Sequence, residues 1–84
     1  MDPYKVIRHP FVTEKTMNLL AQNKIEFIVI RTANKEDVKK AVETLLGAKV
    51  VQVRTFHDKE GKHAIVKFGK EHNVNDLATR IGVF

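Results

Sequence analysis

Two strand-like runs, Lys49 to His57 and Lys62 to Phe68, flank the tetrapeptide Asp58-Lys59-Glu60-Gly61, and this arrangement constrains the fold more than any other feature of the chain. A four-residue loop carrying glycine joins antiparallel strands, because glycine reaches positive φ without steric cost. With that loop His57 faces Lys62, and Val51, Val53 and Thr55 lie beside Phe68, Val66 and Ala64 on one face. That face is predicted to be core. The opposite face collects Gln52, Arg54 and Phe56 with His63, Ile65 and Lys67, a mixture that suits contact with nucleic acid or protein better than a core. A slip of one residue would exchange the two faces.

The remaining segments alternate in type. Lys5 to Arg8 reads as a short extended piece, closed by the His9-Pro10 step, since a residue before proline is pushed out of the helical region. Thr13 then caps a helix with Glu14 at its positive end and Met17, Leu19, Leu20 and Ala21 as its apolar stripe, fraying near Gln22 and Asn23. Ile25 to Arg31 is apolar on both faces and predicts a central strand covered on both sides. Asn34 and Asp37 form a capping box for a helix buried through Val38, Ala41, Val42 and Leu45 and ended at Gly47, with Lys35, Glu36, Lys39, Lys40 and Glu43 outward. Asn75 caps a last helix through Leu77, Ala78, Arg80 and Ile81, which Gly82 ends, leaving a Val83-Phe84 tail suited to docking. The order β-α-β-α-β-β-α describes one α+β domain over residues 1–84, without a repeat or linker.

Composition narrows the function. Of 84 residues 43% are hydrophobic, enough for one core, and 15 Lys and Arg against 10 Asp and Glu leave a net charge of +5. The excess is local: residues 48 to 70 carry six cations (Lys49, Arg54, Lys59, Lys62, Lys67, Lys70) against two acids, with His57 and His63 among them. A polyanion is the partner such a stretch fits; a solvated lysine-rich surface is the plain alternative. With neither cysteine nor serine, the chain excludes disulfides, thiolate metal sites and a serine triad, and it fits a reducing compartment. Histidines 9, 57, 63 and 72 lack helical metal spacing, the four glycines form no phosphate-cradling loop, and His57 and His63 read as hairpin surface. Glu14, Glu26, Asp37 and Glu43 read as solvated or capping carboxylates, so neither metal, cofactor nor catalysis is expected. The longest apolar run, Phe27 to Ile30, is too short to span a bilayer, and the first residues lack the marks of a signal peptide, which predicts a cytoplasmic protein without membrane insertion. The strand Lys62 to Phe68 lacks the ring pattern and glycine of an RNA-recognition sheet, disfavouring a base-stacking platform and leaving recognition of shape and phosphates.

Four stretches carry a resemblance: Ile7-Arg8-His9-Pro10-Phe11-Val12-Thr13-Glu14-Lys15, with its Pro-x-Val-Thr-Glu-Lys core; Lys24 to Arg31 running into Asn34-Lys35 and Val38-Lys39-Lys40-Ala41; Val50-Val51-Gln52-Val53-Arg54-Thr55; and Gly61 to Phe68. Together with the ending Ala78-Thr79-Arg80-Ile81-Gly82-Val83-Phe84, the chain resembles the large-subunit ribosomal protein L23 family in its archaeal form, over essentially its whole length. The resemblance implies a four-stranded, largely antiparallel sheet with helices on both faces, and a structural protein of the large ribosomal subunit bound to its rRNA beside the exit of the nascent-chain tunnel. Carried onto this sequence, the rRNA contacts fall on Arg54, Thr55, His57, Lys59, Lys62, His63 and Lys67, with further contacts at Arg8, Lys15, Lys35 and Lys39. Glu14 falls at the corner where the family docks nascent-chain factors, which implies the signal recognition particle or a translocon as transient partners and other large-subunit proteins as neighbours; an acid stabilising a helix start fits Glu14 equally well. Arg54-Thr55 replaces a frequent Asn-Thr, Lys62-His63 replaces a basic pair, and the Asp58 to Gly61 loop is too short to reach into the tunnel. The competing expectation is a free-standing α+β module for protein interaction or a small ligand, its basic hairpin merely solvated.

Overall fold

The computed structural model describes residues 2–82. Asp2 caps a single turn, α1 (Pro3–Val6), accepting from the Tyr4 N–H, and Pro3 stands in the first turn, where a missing N–H costs nothing. Lys5 and Val6 are therefore helical rather than extended, and β1 (Ile7–Pro10) begins only at Ile7. Thr13 caps α2 (Glu14–Met17): its hydroxyl accepts from the Thr16 N–H at 3.1 Å while the Thr16 hydroxyl accepts from the Thr13 N–H at 2.7 Å. A 3-10 turn (Asn18–Gln22) follows and stops at Asn23, whose φ of 64° is left-handed. The Asn23 amide offsets that strain by donating to the Phe68 and Gly69 carbonyls, which fastens this turn to the far end of the sheet.

The longer elements are β2 (Lys24–Val29), α3 (Lys35–Leu46), β3 (Val50–Asp58), β4 (Gly61–Phe68) and α4 (Val74–Ile81). The predicted Asn34–Asp37 box and left-handed Gly47 bound α3. Asn73, not Asn75, caps α4; its side chain accepts from the Asn75 N–H, so the helix starts at Val74. The proposed docking tail Val83-Phe84 lies outside the described residues.

The sheet order is β1-β2-β4-β3, with every neighbouring pair antiparallel. Helix α3 carries the chain from β2 to β3, and β4 then returns between them, leaving β1 and β3 as the two edges. Along one face Ile25, Phe27 and Val29 of β2 join Ala64, Val66 and Phe68 of β4 under Val38, Ala41, Val42 and Leu46 of α3 and Val74, Leu77 and Ala78 of α4. The short α2 and the following turn flank the opposite face, where Thr16 and Leu19 border a cleft shared with Glu26, His63 and Ile65. The predicted hairpin register holds from Gln52↔Lys67 to His57↔Lys62, closed by the two-residue turn Lys59-Glu60. It fails one step earlier, because a bulge pairs Val50 with Phe68 and displaces Val51, which is 53% exposed instead of buried. Among the described residues no helix is long and apolar enough to cross a membrane.

Candidate nucleic-acid interface

The cations on the hairpin are distributed by the two-residue period of a strand. Arg54 pairs with Ile65 and Lys67 with Gln52, so both stand on the face away from α3, together with Phe56 and His63. Thr55 and His57 point to the other side by the same alternation. His57 is exposed there opposite Lys62, whose ammonium is turned inward to donate to the Ala33 carbonyl. Lys59 is exposed in the turn. Lys35 and Lys39 border a shallow groove with Val51, Gln52 and Val53 on the α3 side of the edge strand. Lys15 on α2 faces Arg54 across the cleft of the opposite side, and Arg8 lies apart, exposed on β1. Glu14 is exposed at the first position of α2. The eleven residues assigned to rRNA by resemblance thus do not form one patch: they border β3 on both sides, with Arg8 as an outlier.

His63 is not surface. It is 1% exposed and bridges two carboxylates, its Nδ1 2.7 Å from Glu26 Oε2 and its Nε2 2.6 Å from Asp58 Oδ1. Its ring lies flat on Phe56, with centroids 4.7 Å apart and planes at 5°, and meets the edge of Phe11 at 4.7 Å. Burial by itself disfavours the imidazolium; the hydrogen bonds to Asp58 and Glu26 outweigh it and hold the pKa of His63 above its ordinary value. On Asp58 desolvation is the largest single effect and acts to raise the pKa, but the His63 bond, the Glu60 N–H, which donates to its Oδ1 at 2.9 Å, and the nearby His63 charge together outweigh it, and its pKa is lowered. Each ring nitrogen of His63 thus lies within hydrogen-bond distance of a carboxylate oxygen, one of Glu26 and one of Asp58. Asp58, Glu60 and His63 also come close enough together to suggest a metal site, but both nitrogens of His63 already serve carboxylates.

Glu26 corrects the expectation of a solvated carboxylate: it is 7% exposed, set in β2 between the apolar Ile25 and Phe27. A charge interrupting an apolar strand needs a buried partner, and that was the available signal in the sequence. Neither the partner's identity nor the Phe11 contact could be read from periodicity, since both join segments distant in sequence.

Above this cluster the open face forms a cleft of about 480 Å³, with Phe11, Thr16 and Leu19 on one wall, Arg54 and Phe56 on the other, and Glu26 and His63 at its base. Among the described residues every ion pair involves histidine; none of the 15 Lys and Arg side chains lies within 4.0 Å of a carboxylate. Such cations are free to meet an external polyanion without first breaking an internal pair.

The family model for ribosomal protein L23 matches residues 5–78. A protein named large ribosomal subunit protein uL23 from Methanothermobacter thermautotrophicus is 48% identical, with both chains covered completely. Its namesake from Methanobrevibacter smithii is 46% identical, again over the full length of both.

Proposed function

The chain belongs to the ribosomal protein L23 family, and from that membership we propose that it binds large-subunit rRNA through the two sides of strand β3 and helps form the docking ground at the polypeptide exit. As a family member it is a structural constituent of the large ribosomal subunit, resident with the ribosome in the cytoplasm, and not an enzyme. The observation that supports RNA as the ligand is the set of cations without carboxylate partners: Arg54, Lys67 and Lys15 around the open face, Lys35 and Lys39 by the groove beyond β3, and Lys59 in the turn. Lys62 and His63 act within the fold, one on the Ala33 carbonyl and one between carboxylates, and support the surface from below.

Replacing Lys15, Arg54 and Lys67 together by Ala tests this. Each lost phosphate contact lowers the salt slope of binding by about 0.9 for duplex or 0.7 for single-stranded RNA, so affinity for large-subunit rRNA should fall at low salt and converge with wild type at high salt. Unchanged affinity and slope would remove these three residues from the interface.

Glu14, exposed at the start of α2, is assigned to factor docking, with the signal recognition particle or a translocon as transient partner and neighbouring large-subunit proteins alongside. Glu14→Ala should weaken factor binding to assembled subunits and leave RNA affinity intact; equal factor binding would return Glu14 to its role at the helix dipole. The two-residue turn Lys59-Glu60 is too short to line the tunnel.

A further inference from the structure

We propose that the open-face cleft receives a single unstacked nucleotide of the RNA, its base lying on the ring of Phe56 and its phosphate between Arg54 and Lys15. The inference rests on the RNA reading above and adds a kind of contact that the distribution of lysines does not imply. Phosphate recognition needs only exposed cations, whereas this face offers a shaped site. Its volume of about 480 Å³ lies within the range of small-ligand pockets, about 300–1,000 Å³. Phe56 is 41% exposed although it lines the cleft, and His63 presses flat against its ring. A half-exposed aromatic ring, fixed in orientation by a buried partner, provides a stacking surface without an ordering cost on binding.

Charge selects the occupant. Of the charged groups facing the cleft, Glu26 and Asp58 are bridged by His63, while Lys15 and Arg54 have no carboxylate within 4.0 Å among the described residues. The unspent charge is positive, which favours an anionic guest over an apolar protein segment, and the exposed Phe56 ring beside it favours one that carries a base as well as a phosphate. Bases splayed from a folded RNA are taken up by aromatic and guanidinium planes in this way. One ring does not make the base-stacking platform that the strand sequence disfavours; it makes a place for one base.

The test uses the full-length chain and transcribed large-subunit rRNA, comparing wild type with Phe56→Leu and Phe56→Trp across a salt series. Phe56→Leu keeps an apolar cover on His63 and removes the stacking face; affinity should fall about ten- to a hundredfold at every salt concentration with an unchanged slope, because stacking releases no counterions. Phe56→Trp should retain wild-type affinity. Equal binding by Phe56→Leu, or equal loss in both variants, would overturn the proposal, the latter by showing that ring packing rather than stacking matters. Irradiation of assembled large subunits at a nucleobase-absorbing wavelength should then yield a mononucleotide adduct on the tryptic peptide holding Phe56; an adduct to protein, or none, would contradict it. If wild type itself shows no salt-dependent affinity for rRNA, it is the RNA reading that fails.

Discussion

The two faces of the sheet use the same strands and are stabilised by different physics. Under α3 and α4 the buried side chains are uniformly apolar, and Ala64, Val66 and Phe68 of β4 are each no more than 1% exposed. On the opposite face β4 instead presents His63 at 1% exposure, held by Glu26 and Asp58. The apolar face is non-directional, and its stability scales with buried area and close packing. The polar face depends on a few atoms at 2.6–2.7 Å and orders the ring on which the cleft is built. A fold can thus keep its core on one side while the other is shaped for a partner.

That contrast can be broken most severely by emptying either side. Phe68→Ala should cost about 3–5 kcal/mol through cavity formation. His63→Ala should cost a comparable amount, about 3–5 kcal/mol, because it leaves the Glu26 carboxylate buried and unpaired. The two differ in rescue: replacing Glu26 and His63 together by Leu should recover most of the second loss, since removal of a whole buried charge cluster is tolerated far better than removal of one partner. Urea unfolding of the single and double variants measures both; an unrescued double variant would show that the cluster is not held by charge.

Much of the apolar side was legible in the sequence. The capping box at Asn34 and Asp37, the stripe Val38, Ala41, Val42 and the hairpin register from Gln52 to His57 follow from local spacing and appear in the fold. Less legible were features set across distant strands. Nothing local announces that Val51 forms a bulge or that His63 turns inward to Glu26, a residue 37 positions away. The polar cluster escaped because glutamate is almost never fully buried without a partner and histidine is found both inside and outside, so only the three-dimensional pairing decides their place.

Proton linkage separates the faces next. The raised pKa of His63 means that its stabilisation is fully present below the ordinary histidine value of about 6.5 and is lost as pH rises through the higher folded value. The lowered pKa of Asp58 works in the opposite sense: its share is present above the ordinary carboxylate value and is lost as pH falls through the lower folded value. The cluster is therefore strongest between those ordinary values, and stability measured by urea should decline on the alkaline side in wild type. The Glu26→Leu, His63→Leu chain should lack that decline; an equal decline in both would assign the effect to other groups.

Smaller effects sharpen the picture. Asn34→Ala should cost about 1 kcal/mol by opening the capping box of α3, which packs on the apolar face. Replacing Lys15, Arg54 and Lys67 by Ala should change stability by no more than about 0.5 kcal/mol, because these exposed cations hold no carboxylate among the described residues. A larger loss would mean that the open face stabilises the fold through its cations and not through His63.

The most direct test is sedimentation of the tagged chain from a lysate through a gradient at increasing salt. The account predicts migration with the large ribosomal subunit at moderate salt and release only at high salt, with the Lys15, Arg54, Lys67 variant released earlier. Recovery of the wild-type chain at the top of the gradient at low salt, free of the subunit, would contradict it.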